Sequence, residues 1–189
     1  NLCLALRRVG DFEVIEIDRE HTEEELAQAV AAVDAVVHLA GINRPESDEE
    51  FVEGNVNFTQ QLCDLLKATN RKIPIVCSSS IQAELDNPYG ASKRGGEQVI
   101  IDYQSETGSP VYVYRLPNVF GKWSKPNYNT VVATFCHNIS RDIPVQINDA
   151  SVNLSFCYVD DVVAKFIDDV SCGNDNNSAS SECGILEFE

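Results

Sequence analysis

Tyr89 and Lys93 stand four residues apart in Tyr89-Gly90-Ala91-Ser92-Lys93. Four residues make about one helical turn, so on a helix the phenol and the ammonium share a face, and a neighbouring cation stabilises phenolate and lowers the tyrosine pKa. A tyrosine tuned in this way is a usable acid or base near neutral pH. Ser80, nine residues upstream, ends the triplet Ser78-Ser79-Ser80 and can hydrogen-bond the same substrate oxygen. The two hydroxyls make a donor pair suited to a carbonyl that becomes an alcohol. With six Tyr in the chain such a Tyr/Lys pair also arises by chance, and a serine cluster alone is uninformative. The value of the pair lies in its position.

Three other places have residue types that can hold a ligand. Asp18 ends a β-rich run, where a carboxylate can accept both ribose hydroxyls of an adenine dinucleotide, although a strand-ending Asp is more often a turn residue. Arg19 beside it could instead pair with a 2′-phosphate, so NAD and NADP both stay open. In His38-Leu39-Ala40-Gly41 an apolar strand meets small residues that let the backbone approach a flat ligand closely, while His38 also reads as a satisfied strand-end histidine. Between Glu106 and Asp142 there is no acidic residue, and Arg115, Lys122, Lys125 and Arg141 fall in or bound that stretch. At the chain's overall acid frequency about six acids would be expected there. The stretch reads either as a local anion site or as a buried strand plus a polar loop.

The elements that must position these groups alternate. Leu2, Ala5, Leu6 and Val9 share one helical face and Gly10 is a C-terminal cap, so residues 1–9 read as a helix. Residues 12–17 read as a strand, and Thr22 with Glu25 makes a capping box for a helix to about Ala32. A continuous apolar strand follows at 35–39, then a long helix over 48–68 with Phe51, Asn55, Phe58, Leu62 and Leu65 on one side. Next come a strand at 73–77, a turn-rich loop at 78–88, a helix from near Tyr89 to about Glu106 and a strand at 111–116. A Gly/Pro/Asn loop, a helix at about 129–140, two short strands near Val145 and Leu154 and a helix at about 160–170 complete the pattern. Apolar strands flanked by amphipathic helices predict an α/β fold, a doubly wound Rossmann-like parallel sheet with helices on both faces. In such sheets ligands bind beyond the C-terminal ends of the strands. The expected domain is 1–170, with 171–189 an irregular tail.

Composition sets the bounds. The 189 residues, 23% charged and 43% hydrophobic, support one globular domain and exclude disorder, collagen and small disulfide scaffolds. A formal charge of -16 disfavours nucleic acid or an anionic membrane as partner. No run of about 18 apolar residues is present, and the expected compartment is the cytoplasm. Seven cysteines with no CxxC argue against a zinc site and against a secreted disulfide framework.

Several motifs occur in one order: His38-Leu39-Ala40-Gly41, Asn55-Val56, the serine triplet, Tyr89-Gly90-Ala91-Ser92-Lys93, Arg115-Leu116-Pro117-Asn118-Val119-Phe120-Gly121 and Tyr158-Val159-Asp160-Asp161. Together they resemble the extended short-chain dehydrogenase/reductases (NAD-dependent epimerase/dehydratase family) that act on nucleotide sugars. Within that group, Ser78 to Ala83, Asp86 to Gly90, Phe120 to Trp123 and Lys125 to Asn129 are most similar to reductases of capsular polysaccharide synthesis. The resemblance implies reduction of the C4 ketone of a UDP-6-deoxy-4-keto-hexosamine by NADPH or NADH. It implies that Tyr89 gives a proton to the ketone oxygen, that Lys93 lowers the Tyr89 pKa and holds the nicotinamide ribose, and that Ser80 binds the carbonyl oxygen. Asp18, Arg19, Ala40, Gly41 and Asn55 would line the cofactor groove. Asn118, Lys122 and Lys125 would hold the nucleotide diphosphate, Arg44 would reach the sugar, and the enzyme would be a homodimer.

Two features depart from that family. It begins with a strand and a Gly-rich phosphate loop, whereas this sequence opens inside the helix that follows them. The expected sheet therefore lacks its first strand, which belongs between 12–17 and 35–39, and the reading is of a domain truncated at both ends. Many relatives also place an arginine just before Tyr158, where Asn153 and Leu154 stand. Two alternatives follow. One is a 4-epimerase or dehydratase using the same Tyr and Ser, although a dehydratase should have acids after the triplet, where Ile81-Gln82 stand. The other is an inactive remnant acting as a binding or dimerisation module through the helices at 48–68 and 89–106.

Overall fold

The computed structural model describes residues 1–174 and 183–188. Four parallel strands form the central sheet in the order β1 (Val36–His38), β2 (Ile75–Ser80), β3 (Val111–Leu116) and β6 (Gly184–Glu187). The register sets His38 beside Cys77, Ser79 beside Arg115 and Ser80 beside Leu116. Period-two alternation along the strands builds two cores. On one face Ile75, Cys77, Val111 and Val113 meet α2 (Glu23–Ala32), α4 (Phe58–Ala68) and α5 (Pro88–Thr107). On the other Val76, Tyr112, Tyr114 and Leu116 meet α1 (Leu2–Val9) and α7 (Val159–Asn174). The expected three-layer Rossmann-like arrangement is therefore the one observed. Strands buried on both faces have to be apolar throughout, which is why they read as continuous apolar runs.

Local signals set most boundaries. Thr22 and Glu25 form the reciprocal capping box, a feature worth about 1 kcal/mol. Gly10 caps α1 at φ 87°, in the left-handed region that glycine tolerates. The helix expected over 48–68 is α3 (Asp48–Val52), one π-helical turn (Glu53–Asn57) and α4. Such a turn inserts an extra residue and re-aims its side chains, here Asn55.

Four expectations are corrected. Residues 12–17 form no strand: Phe12 and Val14 pack on the α1/α7 core and Ile17 on the opposite one, but no described strand lies alongside to pair with. β2 starts later and extends through the triplet to Ser80, because all three serines pair with β3. No strand forms at Val145; instead β4 (Asn118–Phe120) and β5 (Phe156–Tyr158) make a separate two-stranded parallel sheet. The expected irregular tail is regular in part, since α7 continues to Asn174 and β6 pairs with β3, while residues 175–182 lie outside the described residues. The remaining helix, α6 (Val131–Ile139), buries none of its residues. Among the described residues no helix is long and apolar enough to cross a membrane.

Candidate active site

The C-terminal ends of β1, β2 and β3 converge with the first turns of α5. Asn87 starts that helix, its Oδ1 accepting from the Gly90 N–H at 2.8 Å, and Pro88 occupies the first turn, where a missing N–H costs nothing. Tyr89 is thereby fixed in the first turn. A short 3₁₀ turn, Ile81–Glu84, leads up to it from Ser80, whose Oγ accepts from the Gln82 N–H at 3.2 Å. Gly90 has to be glycine: an added Cβ would stand 2.4 Å from the Leu85 carbonyl oxygen and 2.5 Å from that of Gln82. The Tyr89 ring packs on Phe51 with centroids 5.6 Å apart, and the Ser80 hydroxyl is near enough to act on its phenol. The Tyr89/Ser80 pair is therefore assembled at one point of the sheet edge. Phe51, which locks the ring, was visible in the sequence only as a core position of a helix.

Lys93 takes a different partner from the one its spacing indicates. Its ammonium donates to the Ser78 carbonyl at 3.1 Å. Burial raises the Tyr89 pKa and the neighbouring Ser80 hydroxyl lowers it by less; Lys93 is not among the influences on the phenol. The expected lowering of Tyr89 by Lys93 is thus corrected, because a strand-end carbonyl offers the ammonium a bond that the phenol does not. Lys93 acts instead on His38, whose imidazole is held down at about 4, first by burial and then by that ammonium. The Thr59 hydroxyl gives its proton to the Asn55 carbonyl at 2.8 Å, so His38 Nε2 donates to it at 2.9 Å. His38 is a satisfied strand-end histidine.

Asn55, aimed by the π turn, is a clamp. Its amide donates to the Ile42 carbonyl at 3.0 Å and to Ser92 Oγ at 2.9 Å, and its oxygen accepts from the Ile42 N–H at 2.8 Å. It ties the loop after β1 to α5 and holds Gly41 beside Lys93. Gly96 permits that closeness, since a Cβ there would stand 2.7 Å from the Asn55 carbonyl oxygen.

One cluster escaped the sequence reading. Glu97, one turn beyond Lys93, is buried and accepts from Arg115 Nε at 3.0 Å, from Arg115 Nη2 at 2.7 Å and from the Ser79 hydroxyl. Glu84 and Glu187 lie 3.7 and 3.9 Å from the same guanidinium. Arg115 is thus neutralised by acids from outside its own stretch and is not part of an anion site. The available signal was the i, i+4 spacing of Lys93 and Glu97 on a helix, but only the β2/β3 register brings Ser79 and Arg115 together.

The remaining predicted cations sort into two kinds. Lys122 donates to Asp160 at 3.0 Å, and Asn118 spends its amide on the Ser155 carbonyl at 3.0 Å, so both are engaged locally. Arg44 and Lys125 meet on one aromatic ring, that of Tyr128, at 5.1 and 5.6 Å from its centroid. Arg44 is thereby grouped with the anion-site residues. Asp18 Oδ1 accepts from the Glu20 N–H at 2.9 Å and bonds His21 at 2.9 Å, while Arg19 is exposed. These bonds hold the Asp18 carboxyl below its ordinary pKa, so it is an anionic acceptor at neutral pH. Leu39, Ala40 and Gly41 lie exposed at the end of β1. An ionised, exposed carboxylate, an open small-residue strand end and a half-buried ammonium suit the ribose and nicotinamide ends of a dinucleotide.

Residues 3–167 match the NAD dependent epimerase/dehydratase family. The chain is 51% identical over 167 residues to the UDP-2-acetamido-2,6-beta-L-arabino-hexul-4-ose reductase of Pseudomonas aeruginosa, covering 88% of this chain and 45% of that protein. Its fold is similar to that of the capsular polysaccharide assembling protein CapF from Staphylococcus aureus, with TM-score 0.82 and 45% identity over 98% of this chain and 49% of that one. The NAD complex of UDP-glucuronic acid 4-epimerase from Bacillus cereus shares the fold at TM-score 0.81 and 19% identity, over 99% of this chain and 72% of that one. The chain thus spans about half the length of the first two relatives. With the family match over most of its length and the 51% identity, the chain belongs to the NAD dependent epimerase/dehydratase family.

Proposed function

We propose that this chain carries the ketone-reducing site of a nucleotide-sugar reductase, acting on the C4 ketone of a UDP-6-deoxy-4-keto-hexosamine in capsule or surface polysaccharide synthesis. The observation that carries the reading is the neighbouring Tyr89 phenol and Ser80 hydroxyl at the sheet edge, with the Lys93 ammonium one turn along on Ser78. The name of the Pseudomonas relative supports the substrate class.

A nicotinamide dinucleotide, NADP or NAD, supplies the hydride when bound. The chain's own residues do the rest. Ser80 donates a hydrogen bond to the ketone oxygen and concentrates partial positive charge where the alkoxide develops. Tyr89, neutral because burial holds its pKa high, transfers its phenolic proton to that oxygen, and the new bond is O–H of the product alcohol. Lys93, anchored on the Ser78 carbonyl, holds the nicotinamide ribose. Asn55 and Ser92 keep the groove wall in place, Ala40 and Gly41 leave room for the nicotinamide end, and Asp18 with Arg19 meets the adenosine ribose. Arg44 and Lys125 bind the diphosphate, and Lys122 and Asn118 shape that loop. The same reading takes the enzyme to be a cytoplasmic homodimer, which sedimentation of the purified protein tests.

Consumption of NADPH or NADH with a UDP-4-keto-sugar should fall about 10³-fold in Tyr89→Phe, the loss of a positioned general acid. Unchanged turnover in that variant rejects the reading, and product analysis separates a reductase from an epimerase.

A further inference from the structure

Arg44 and Lys125 have no carboxylate within ion-pair distance among the described residues, although the chain has 30 acids against 14 basic residues. Their shared partner is Tyr128. Arg44 lies in the loop after β1, and Lys125 and Tyr128 lie in the loop after β4, so one ring joins two loops across the strand ends. Two like charges on one ring repel each other, and an exposed cation–π contact returns only a little to each. Lys122, beside them, is already neutralised by Asp160. The Tyr128 side chain is about half exposed, which leaves the two cations open to solvent. What would satisfy the arrangement is a multivalent anion: a planar guanidinium grips one phosphate with two N–H bonds, and an ammonium adds a point charge beside it.

We propose that Tyr128 is the positioning residue of a diphosphate clamp, its ring holding Arg44 and Lys125 from two separate loops over a single anion site. The clamp rests on the nucleotide-sugar reading for the identity of its ligand and adds the residue that assembles the site. Tyr128 itself contributes no charge. Its role is to fix two flexible cations before the ligand arrives, so that less of their freedom is lost on binding.

Calorimetric titration of the chain with UDP, and separately with inorganic pyrophosphate, tests this in the wild type, Tyr128→Phe and Tyr128→Leu. Emission from Trp123, the single tryptophan and two residues from Lys125, gives a second reading. Far-UV circular dichroism checks that the fold is retained. Tyr128→Phe keeps the ring and should bind UDP like the wild type. Tyr128→Leu should bind about tenfold more weakly, the combined effect of two exposed cation–π contacts, and its affinity should respond less to added salt. Wild-type affinity and salt response in Tyr128→Leu, or a Phe variant as weak as the Leu variant, overturns the clamp while UDP binding leaves the nucleotide-sugar reading standing. Binding of pyrophosphate but not UDP, lost in Tyr128→Leu, keeps the clamp and overturns the nucleotide-sugar reading. Binding of neither anion by the wild type overturns the clamp.

Discussion

Replacing Arg115 by methionine should destabilise the protein more than replacing Glu97 by glutamine, although both substitutions break the same pair. The Glu97 side chain is 3% exposed and accepts two N–H bonds from Arg115, at 3.0 and 2.7 Å, together with the Ser79 hydroxyl. Removing one partner of a buried pair costs about 3–5 kcal/mol, because the other charge stays behind without compensation. The partners are not stranded equally. Arg115, 19% exposed, retains Glu84 at 3.7 Å and Glu187 at 3.9 Å, both at the surface, when Glu97 is neutralised. Glu97 retains only the neutral Ser79 hydroxyl when Arg115 is lost. Arg115→Met is therefore expected near the upper end, about 4–5 kcal/mol, and Glu97→Gln near or below the lower end, about 2–3 kcal/mol, since its amide can still bond Ser79. In the double variant no buried charge remains, so its loss should fall short of the two single losses together by about 2 kcal/mol. Urea unfolding followed by circular dichroism measures all three, provided the slope with denaturant is unchanged. Equal single losses, or losses that simply add, would refute the account of Glu97 as the more deeply committed partner.

Two further outcomes follow from the same region. Burial and Lys93 hold the His38 imidazole at about 4 against an ordinary 6.5, so the unfolded chain takes up its proton first as pH falls. The stability this provides is present above pH 6.5 and is lost between 6.5 and about 4, on the order of 3 kcal/mol in all. His38→Gln should flatten that part of the pH profile of unfolding free energy, and superimposable acid limbs would contradict it. Gly90→Ala puts a Cβ 2.4 Å from a backbone oxygen that cannot swing aside, so the first turn of α5 should shift, at a cost of about 1–3 kcal/mol. Lowered melting together with a drop in Tyr89-dependent turnover is expected; a variant matching the wild type in both would show that the turn has slack.

What the sequence disclosed and what it concealed divide along a physical line. Signals confined to a few neighbours were legible: the Thr22/Glu25 box, the Gly10 cap and the apolar run of β3. Signals that depend on a distant partner were not. Residues 12–17 have strand propensity, yet a strand exists only where another pairs with it, and no described strand does. The triplet Ser78 to Ser80 reads as turn chemistry but pairs as strand, because β3 presents a full ladder beside it. Gly184–Glu187 is too short and too close to an Asn/Ser run to announce itself, and it becomes β6 only through β3. The same holds at the site. Spacing put Tyr89 and Lys93 on one helix, but it could not say that the ammonium would choose the Ser78 carbonyl, or that Glu97 on the next turn would be claimed by Arg115.

These long-range choices explain how the site stays assembled. Each serine of the triplet meets α5 through a different group: the Ser78 carbonyl accepts from Lys93, the Ser79 hydroxyl bonds Glu97 and the Ser80 hydroxyl stands beside the Tyr89 phenol. Three contacts at successive residues fix the helix against sliding along the strand end, where a single contact would leave it free to pivot. The Ser78 and Ser80 contacts are half-buried and involve groups assigned to the chemistry, whereas the Ser79 tie is buried, charge-assisted and outside it. The rigid contact lies one step behind the reactive one. A substrate oxygen can therefore take both the Ser80 and Tyr89 hydroxyls for itself without loosening the helix that presents them.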